Sequence, residues 1–188
     1  MSTIRLDPDR VMATLPRQAI SGVGEVWLKV ERVARDGEPG ERLFAQDLLD
    51  RIAESCTHRA AVDPSFKLLT PAPSMAGETT THGLLKFWGY TVGNRGGFTA
   101  SRRDVLDHVF AAERLPPVYH PAYLERWGGP ESAKRLLFMA KALAAFIADR
   151  RRNDSHSAAI REWRADLEHL RTSYHGGRFD FPWPTPPR

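Results

Sequence analysis

A single cysteine, Cys56, stands in a chain of 188 residues. One thiol cannot close an intramolecular disulfide or start a zinc cluster, and this scarcity points to a reducing, cytoplasmic setting. The seven histidines are scattered and none forms a His-x-x-x-His pair, so a helical zinc site is excluded. No apolar run is long enough to cross a bilayer; even 136–148 is broken by Lys141. The first residues, Met-Ser-Thr-Ile-Arg-Leu-Asp-Pro-Asp, lack the apolar centre of a secretory signal. Internal repeats are absent, and so is the apolar–polar alternation that marks a half-buried strand. No Ser-His-Asp, paired-carboxylate or P-loop pattern stands out, and neither a cofactor nor a metal is called for.

What is present is a helical pattern. The chain is 41% hydrophobic and 27% charged, enough for one core inside a soluble surface. Apolar positions recur at helical spacing over 25–34 and 41–55, and briefly over 82–88. They do so again over 100–113, over about 131–151 and over 157–174. One helical turn is expected within the aromatic connector 118–129. Pro8, Pro16 and Gly22 are read as breakers, making 1–22 an irregular arm, and 57–81 is read as a long loop. Ser101 or Thr99 is expected to cap the 100–113 helix, and Pro130 to open the next one. The stretch 131–151 is apolar nearly all round and belongs at the centre, whereas 157–174 carries one seam: Ile160, Trp163, Leu167, Leu170 and Tyr174. The expected architecture is a single all-α domain, a bundle of about five or six helices. It carries an irregular N-terminal arm and an extended aromatic, proline-rich tail over 175–188.

Several segments could carry function. The glycine loop Gly93-Asn94-Arg95-Gly96-Gly97 precedes a helix bearing Arg102 and Arg103, and amides at a helix start beside arginines can hold an anion. The same glycines also serve as a plain turn. The net charge is +4, and the stretch 127–152 carries all of it. Its bases are Lys134, Arg135, Lys141, Arg150, Arg151 and Arg152, against the acids Glu131 and Asp149. Arginines at a helix C-terminus also oppose the macrodipole, which accounts for 150–152 without a ligand. Cys56 and His58 stand two apart, and Asp104, Asp107 and His108 share one helix, most simply as a solvated face. The tail places Phe179, Phe181 and Trp183 on alternate positions, suited either to packing on the chain's own bundle or to docking on a partner.

The half of the chain from Leu84 to Trp183 also carries a motif series: Gly-Tyr-x-Val-Gly at 89–93, Arg-x-x-Leu at 103–106 and Leu-Pro at 115–116. Trp-Gly-x-Pro-x-Ser-x-x-Arg-Leu follows at 127–136 and Trp-x-x-Asp-Leu-x-x-Leu at 163–170. In these motifs the chain resembles a family of small uncharacterised bacterial proteins. The resemblance implies a shared fold and a setting among mobile-element or phage-defence genes, and it brings no reaction.

These readings combine into the expectation of a non-catalytic, nucleic-acid-associated accessory protein. Arg95, Arg102, Arg103, Lys134, Arg135, Arg150, Arg151 and Arg152 would contact phosphates. The alternative is an adaptor, or a homo-oligomer, anchored by Trp127, Phe179, Phe181 and Trp183. A third is an anion-binding enzyme centred on the glycine loop. A membrane role is not expected.

Overall fold

The computed structural model describes residues 7–15, 18, 20–63, 83–93, 98–116, 121–151 and 154–186. Among them lie eight α-helices and no strand: α1 (Pro8–Thr14), α2 (Ile20–Asp36), α3 (Pro39–Val62), α4 (Leu84–Phe87), α5 (Thr99–Ala111), α6 (Pro121–Trp127), α7 (Ala133–Arg150) and α8 (Ser157–Leu170). The all-helical bundle is therefore as the periodicity indicates, with more helices than expected and with α2 and α3 longer than expected.

The extra pieces come from prolines that start helices. Pro8 occupies the first turn of α1, where its missing N–H is one of the unpaired donors anyway, and the Asp7 carboxylate accepts from the Arg10 amide at 3.2 Å. The irregular arm over 1–22 is thereby corrected: it holds α1 and the start of α2. Pro39 likewise opens α3 behind Glu38, which exchanges capping-box bonds with Glu41. The helix then runs to Val62, six residues into the expected 57–81 loop; 64–82 lies outside the described residues. Two cap assignments also change. Phe98, not Thr99 or Ser101, is the N-cap of α5 and offers no side-chain bond. Ser132, not Pro130, starts α7, its hydroxyl accepting from the Arg135 amide at 3.2 Å.

The short Gly37–Glu38 link folds α2 against α3 as an antiparallel hairpin. Val23, Trp27 and Val30 of α2 meet Ala45, Leu48, Leu49 and Ile52 of α3 in its buried seam. A second hairpin joins α7 to α8, with Leu136, Met139, Leu143 and Ile147 of the one and Trp163, Leu167 and Leu170 of the other all buried. Between the hairpins sit α4, packed on α2, and α5, packed on α4 and α8. One continuous core runs through all of these, with Trp27, Trp88 and Trp127 fully enclosed. Burying each large apolar side chain stabilises the fold by about 1.5–3 kcal/mol. Close approach replaces side-chain packing where α2 crosses α4: a Cβ on Gly24 would stand 1.5 Å from the Phe87 carbonyl oxygen.

Candidate nucleic-acid interface and the buried polar network

Helix α5 sets the electrostatics of the interior, because its charged side chains turn toward neighbouring helices. Arg102 is 3% exposed; its Nε donates to Asp166 Oδ2 at 2.8 Å, and its Nη1 stands 3.5 Å from Glu162 Oε1. The Tyr90 hydroxyl donates to the same Asp166 oxygen at 2.8 Å. Burial pushes the Tyr90 hydroxyl well above its ordinary range, and the Asp166 anion pushes it further. Burial also works against the Arg102 cation, but Asp166 and Glu162 more than offset it, so its pKa is raised. A surface role for Arg102 is therefore corrected: removing it would strand a carboxylate with no exposure at all.

The opening of the glycine loop belongs to the same network. The Gly93 amide donates to Glu162 Oε2 at 2.6 Å, so the chain's own carboxylate holds the amide that an external anion would need. Gly89 and Gly93 have φ of +86° and +78°, where glycine escapes the Cβ penalty. Arg95 lies outside the described residues. Two recesses among the described residues lie elsewhere. One is lined by Glu31, Arg35, Gln46, Glu113 and Arg114, the other by Met12, Arg51, Glu54, Ser55 and His58.

Arg135 is the second correction. It is 2% exposed and acts as an internal clamp. Nη1 donates to the carbonyls of Val109 (3.3 Å) and Ala112, and Nη2 to that of Gly128 at 2.6 Å. These are carbonyls at the ends of α5 and α6, which lack helical partners of their own. Burial lowers its pKa to about 10, leaving it charged at neutral pH. The Trp-Gly-x-Pro-x-Ser-x-x-Arg-Leu motif thus has a structural account. Trp127 fills the core, Gly128 takes φ +72°, Ser132 caps, Arg135 clamps and Leu136 is buried. Trp127 has no exposed surface and packs on Phe138 with ring centroids 4.8 Å apart, so it cannot anchor a partner.

Of the remaining polar groups of α5, Asp104 stays exposed and Asp107 partly so, as expected of a solvated face, whereas His108 is buried, and the three do not converge. Asp104 pairs with Arg32 of α2, and Asp107 with His169 of α8. His108, 3% exposed, pairs through Nε2 with the equally buried Glu31, while Arg35 approaches its Nδ1 at 3.3 Å. Among the described residues no group of three or more His, Cys, Asp or Glu side chains is placed to hold a metal. Cys56 is buried and its thiol is pushed up to about 11 by desolvation, whereas His58 is exposed. The two do not form a nucleophile and base.

The remaining basic candidates divide. Lys134 and Arg151 are exposed; Arg150 is half-exposed and 3.2 Å from Asp149; Arg103 is half-buried; Arg152 lies outside the described residues. The structure adds residues that the reading of 127–152 passed over. The outward face of α8 presents Arg161 and Arg164, and Arg171 follows in the next turn, with Glu168 as the acid among them. The signal was available: 161, 164, 168 and 171 are one helical stripe, each one residue after a member of the apolar seam and so on its flank. Lys141 is exposed on α7 in line with Lys134, seven residues away.

The aromatic tail packs on its own bundle. Phe179, Phe181 and Trp183 are half-buried against the core. Their rings follow one another at 6.1 Å with interplanar angles of 22° and 21°, and His175 lies 4.7 Å from Phe181 and 5.0 Å from Trp183. Arg178 covers the Phe110 ring at 5.6 Å and pairs with Glu131 at 2.8 Å. The tail's assignment as a partner anchor is corrected accordingly: its apolar surface is used at home.

Among the described residues no helix is long and apolar enough to cross a membrane. Comparison of the chain with protein-family models, curated proteins and solved structures returns no match.

Proposed function

We propose that the chain is a nucleic-acid-binding accessory protein whose contact surface is the outward side of the α7–α8 hairpin. The observation that carries this reading is the exposed basic stripe Arg161, Arg164 and Arg171 along and just past α8; Lys134 and Lys141 on α7 and Arg151 at its C-cap are further exposed cations of the hairpin. Phosphates bind such a surface through counterion release, without base readout, so affinity falls steeply with salt. Arg102 and Arg135 support the fold and are excluded from the contact set. The bacterial mobile-element or phage-defence setting implied by the motif resemblance belongs to this reading and suits a protein that follows nucleic acid without choosing a sequence.

Fluorescence anisotropy with short labelled single strands and duplexes, across a salt series, tests it. Wild type binds at low salt. The triple variant R161E/R164E/R171E weakens binding at least about tenfold for every sequence and flattens the log–log salt slope by about 2.7 on duplexes and about 2.1 on single strands, the share of three phosphate contacts. Absence of binding at low salt, or an unchanged slope in the triple variant, removes the proposal.

A further inference from the structure

The polar pairs of α5 include one that continues beyond its partner. His169 Nε2 stands 2.6 Å from Asp107 Oδ1, and on its other side His169 Nδ1 stands 3.3 Å from the Ser173 hydroxyl. An ionised Asp107, which also holds the Tyr174 hydroxyl, can only accept, so in the neutral imidazole Nε2–H faces Asp107 and Nδ1 is the acceptor open to the Ser173 hydroxyl. Exposure increases along the series from the ring to the hydroxyl: the His169 side chain is 16% exposed, and Ser173 is exposed.

The local backbone makes this contact unusual. α8 does not end as an α-helix but widens into a π-turn, Arg171–His175, with the Gly176 amide reaching back to the Arg171 carbonyl at 3.3 Å. Serine and threonine late in a helix ordinarily return their hydroxyls to the carbonyl four residues back. Thr172 does so, bonding to the carbonyls of Glu168 and His169 at 2.9 and 3.2 Å. Ser173, one residue on, addresses an imidazole. The neighbouring His175 is engaged differently, its Nε2 on the Phe181 carbonyl at 2.8 Å.

We propose that Ser173 is a nucleophilic serine, with His169 as its general base and Asp107 as the positioning residue, and that it accepts acyl groups from small activated esters. The chemistry balances without a cofactor. Ser173 Oγ attacks the ester carbonyl as its proton passes to His169 Nδ1. The carbonyl–oxygen bond to the leaving group breaks, and the departing oxygen takes that proton. The serine ester formed is cleaved by water through the same imidazole, releasing the acid and restoring the hydroxyl. The open surface around Ser173 suits a short acyl chain. This site lies at the end of α8 and does not depend on the nucleic-acid reading.

The full-length chain is mixed with p-nitrophenyl acetate, p-nitrophenolate release is followed, and the acetylated residue is mapped by mass spectrometry. Acetyl on Ser173 is expected, with release reduced about a hundredfold in Ser173→Ala and in His169→Gln, the lower end of what a positioned base supplies. Ser173→Ala changes one exposed hydroxyl, and its circular dichroism should match wild type. For Asp107 the readout is the ring itself. Nitrogen-15 spectra of His169 should show the Nε2–H tautomer in wild type and a mixture in Asp107→Ala. Acetylation confined to lysines, or equal release from Ser173→Ala, overturns the nucleophile; an unchanged ring spectrum in Asp107→Ala overturns the positioning role.

Discussion

Asp166 has no exposed surface, and donors from two other elements, Tyr90 and Arg102, meet its carboxylate there. Truncating one member of such a set leaves the others buried and uncompensated, which costs about 3–5 kcal/mol. Asp166→Ala should therefore lower unfolding stability by that amount in urea titrations, far more than replacing an exposed acid such as Glu168. Tyr90 adds a pH dependence. Its folded pKa is raised above the ordinary 10.0, so the unfolded chain loses the phenolic proton first. The stabilising share is complete below about pH 10 and declines as pH rises beyond it. Tyr174 is raised in the same direction, by burial and by its bond to Asp107, and contributes a second share. Tyr90→Phe should flatten part of the alkaline stability loss measured between about pH 9 and about pH 11, leaving the Tyr174 part. Both Tyr90 and Asp166 fall inside the motifs legible in the sequence, but their pairing spans 76 residues and no periodicity encodes it. That is also why Arg102 reads as a surface cation: a helix pattern gives a face, and the partner that neutralises a charge on that face comes from elsewhere in the chain.

At the scale of elements, α7 and α8 are legible because apolar spacing alone determines them, whereas α1 and the start of α3 depend on whether a proline ends a helix or begins one. Asp7 before Pro8, and Glu38 before Pro39 with Glu41 following, are the local signals that decide it. Helix α5 is harder, since its buried side includes Arg102 and His108 and so blurs the contrast between faces. The glycines of α2 mislead in a similar way. Gly22 and Gly24 both look like helix-weakening residues, and only their neighbours separate them. A Cβ at Gly22 would meet the side chain of Gln18 at 3.1 Å, which can move; at Gly24 it would meet the Phe87 backbone carbonyl at 1.5 Å, which cannot. Gly22→Ala should be neutral, or stabilising by up to about 1 kcal/mol through helix propensity. Gly24→Ala should push α4 away from α2 at a cost of about 3 kcal/mol or more, the upper end for overpacking. Thermal denaturation of the two single variants separates these outcomes, and equal melting temperatures would mean that α2 and α4 do not cross closely.

Across the whole molecule, α5 links the two hairpins through polar pairs. Arg32–Asp104 and Glu31–His108 reach α2, and Arg102–Asp166 and Asp107–His169 reach α8. Polar links of this kind add orientation to the apolar core, because each fixes one rotamer against one partner. The C-terminal tail closes the arrangement, laying Phe179, Phe181 and Trp183 on the core and drawing Arg178 across Phe110 to Glu131. Glu131 sits at φ +49°, a conformation costly for a residue with a Cβ, and its amide bond to the Phe110 carbonyl at 2.9 Å, together with Arg178, holds it there. Removing 176–188 should therefore act as a stability change. Three half-buried aromatics at about 1 kcal/mol each come to about 3 kcal/mol, half of full burial. For a chain of this size that is a fall in melting temperature of about 6–12 °C. The same truncation leaves Lys134, Lys141, Arg161 and Arg164 untouched, so nucleic-acid affinity measured well below the new melting temperature should stay within about twofold of wild type. A truncated chain that melts like wild type would show that the tail contributes little to its own bundle, and would return Phe179, Phe181 and Trp183 to the role of partner anchors.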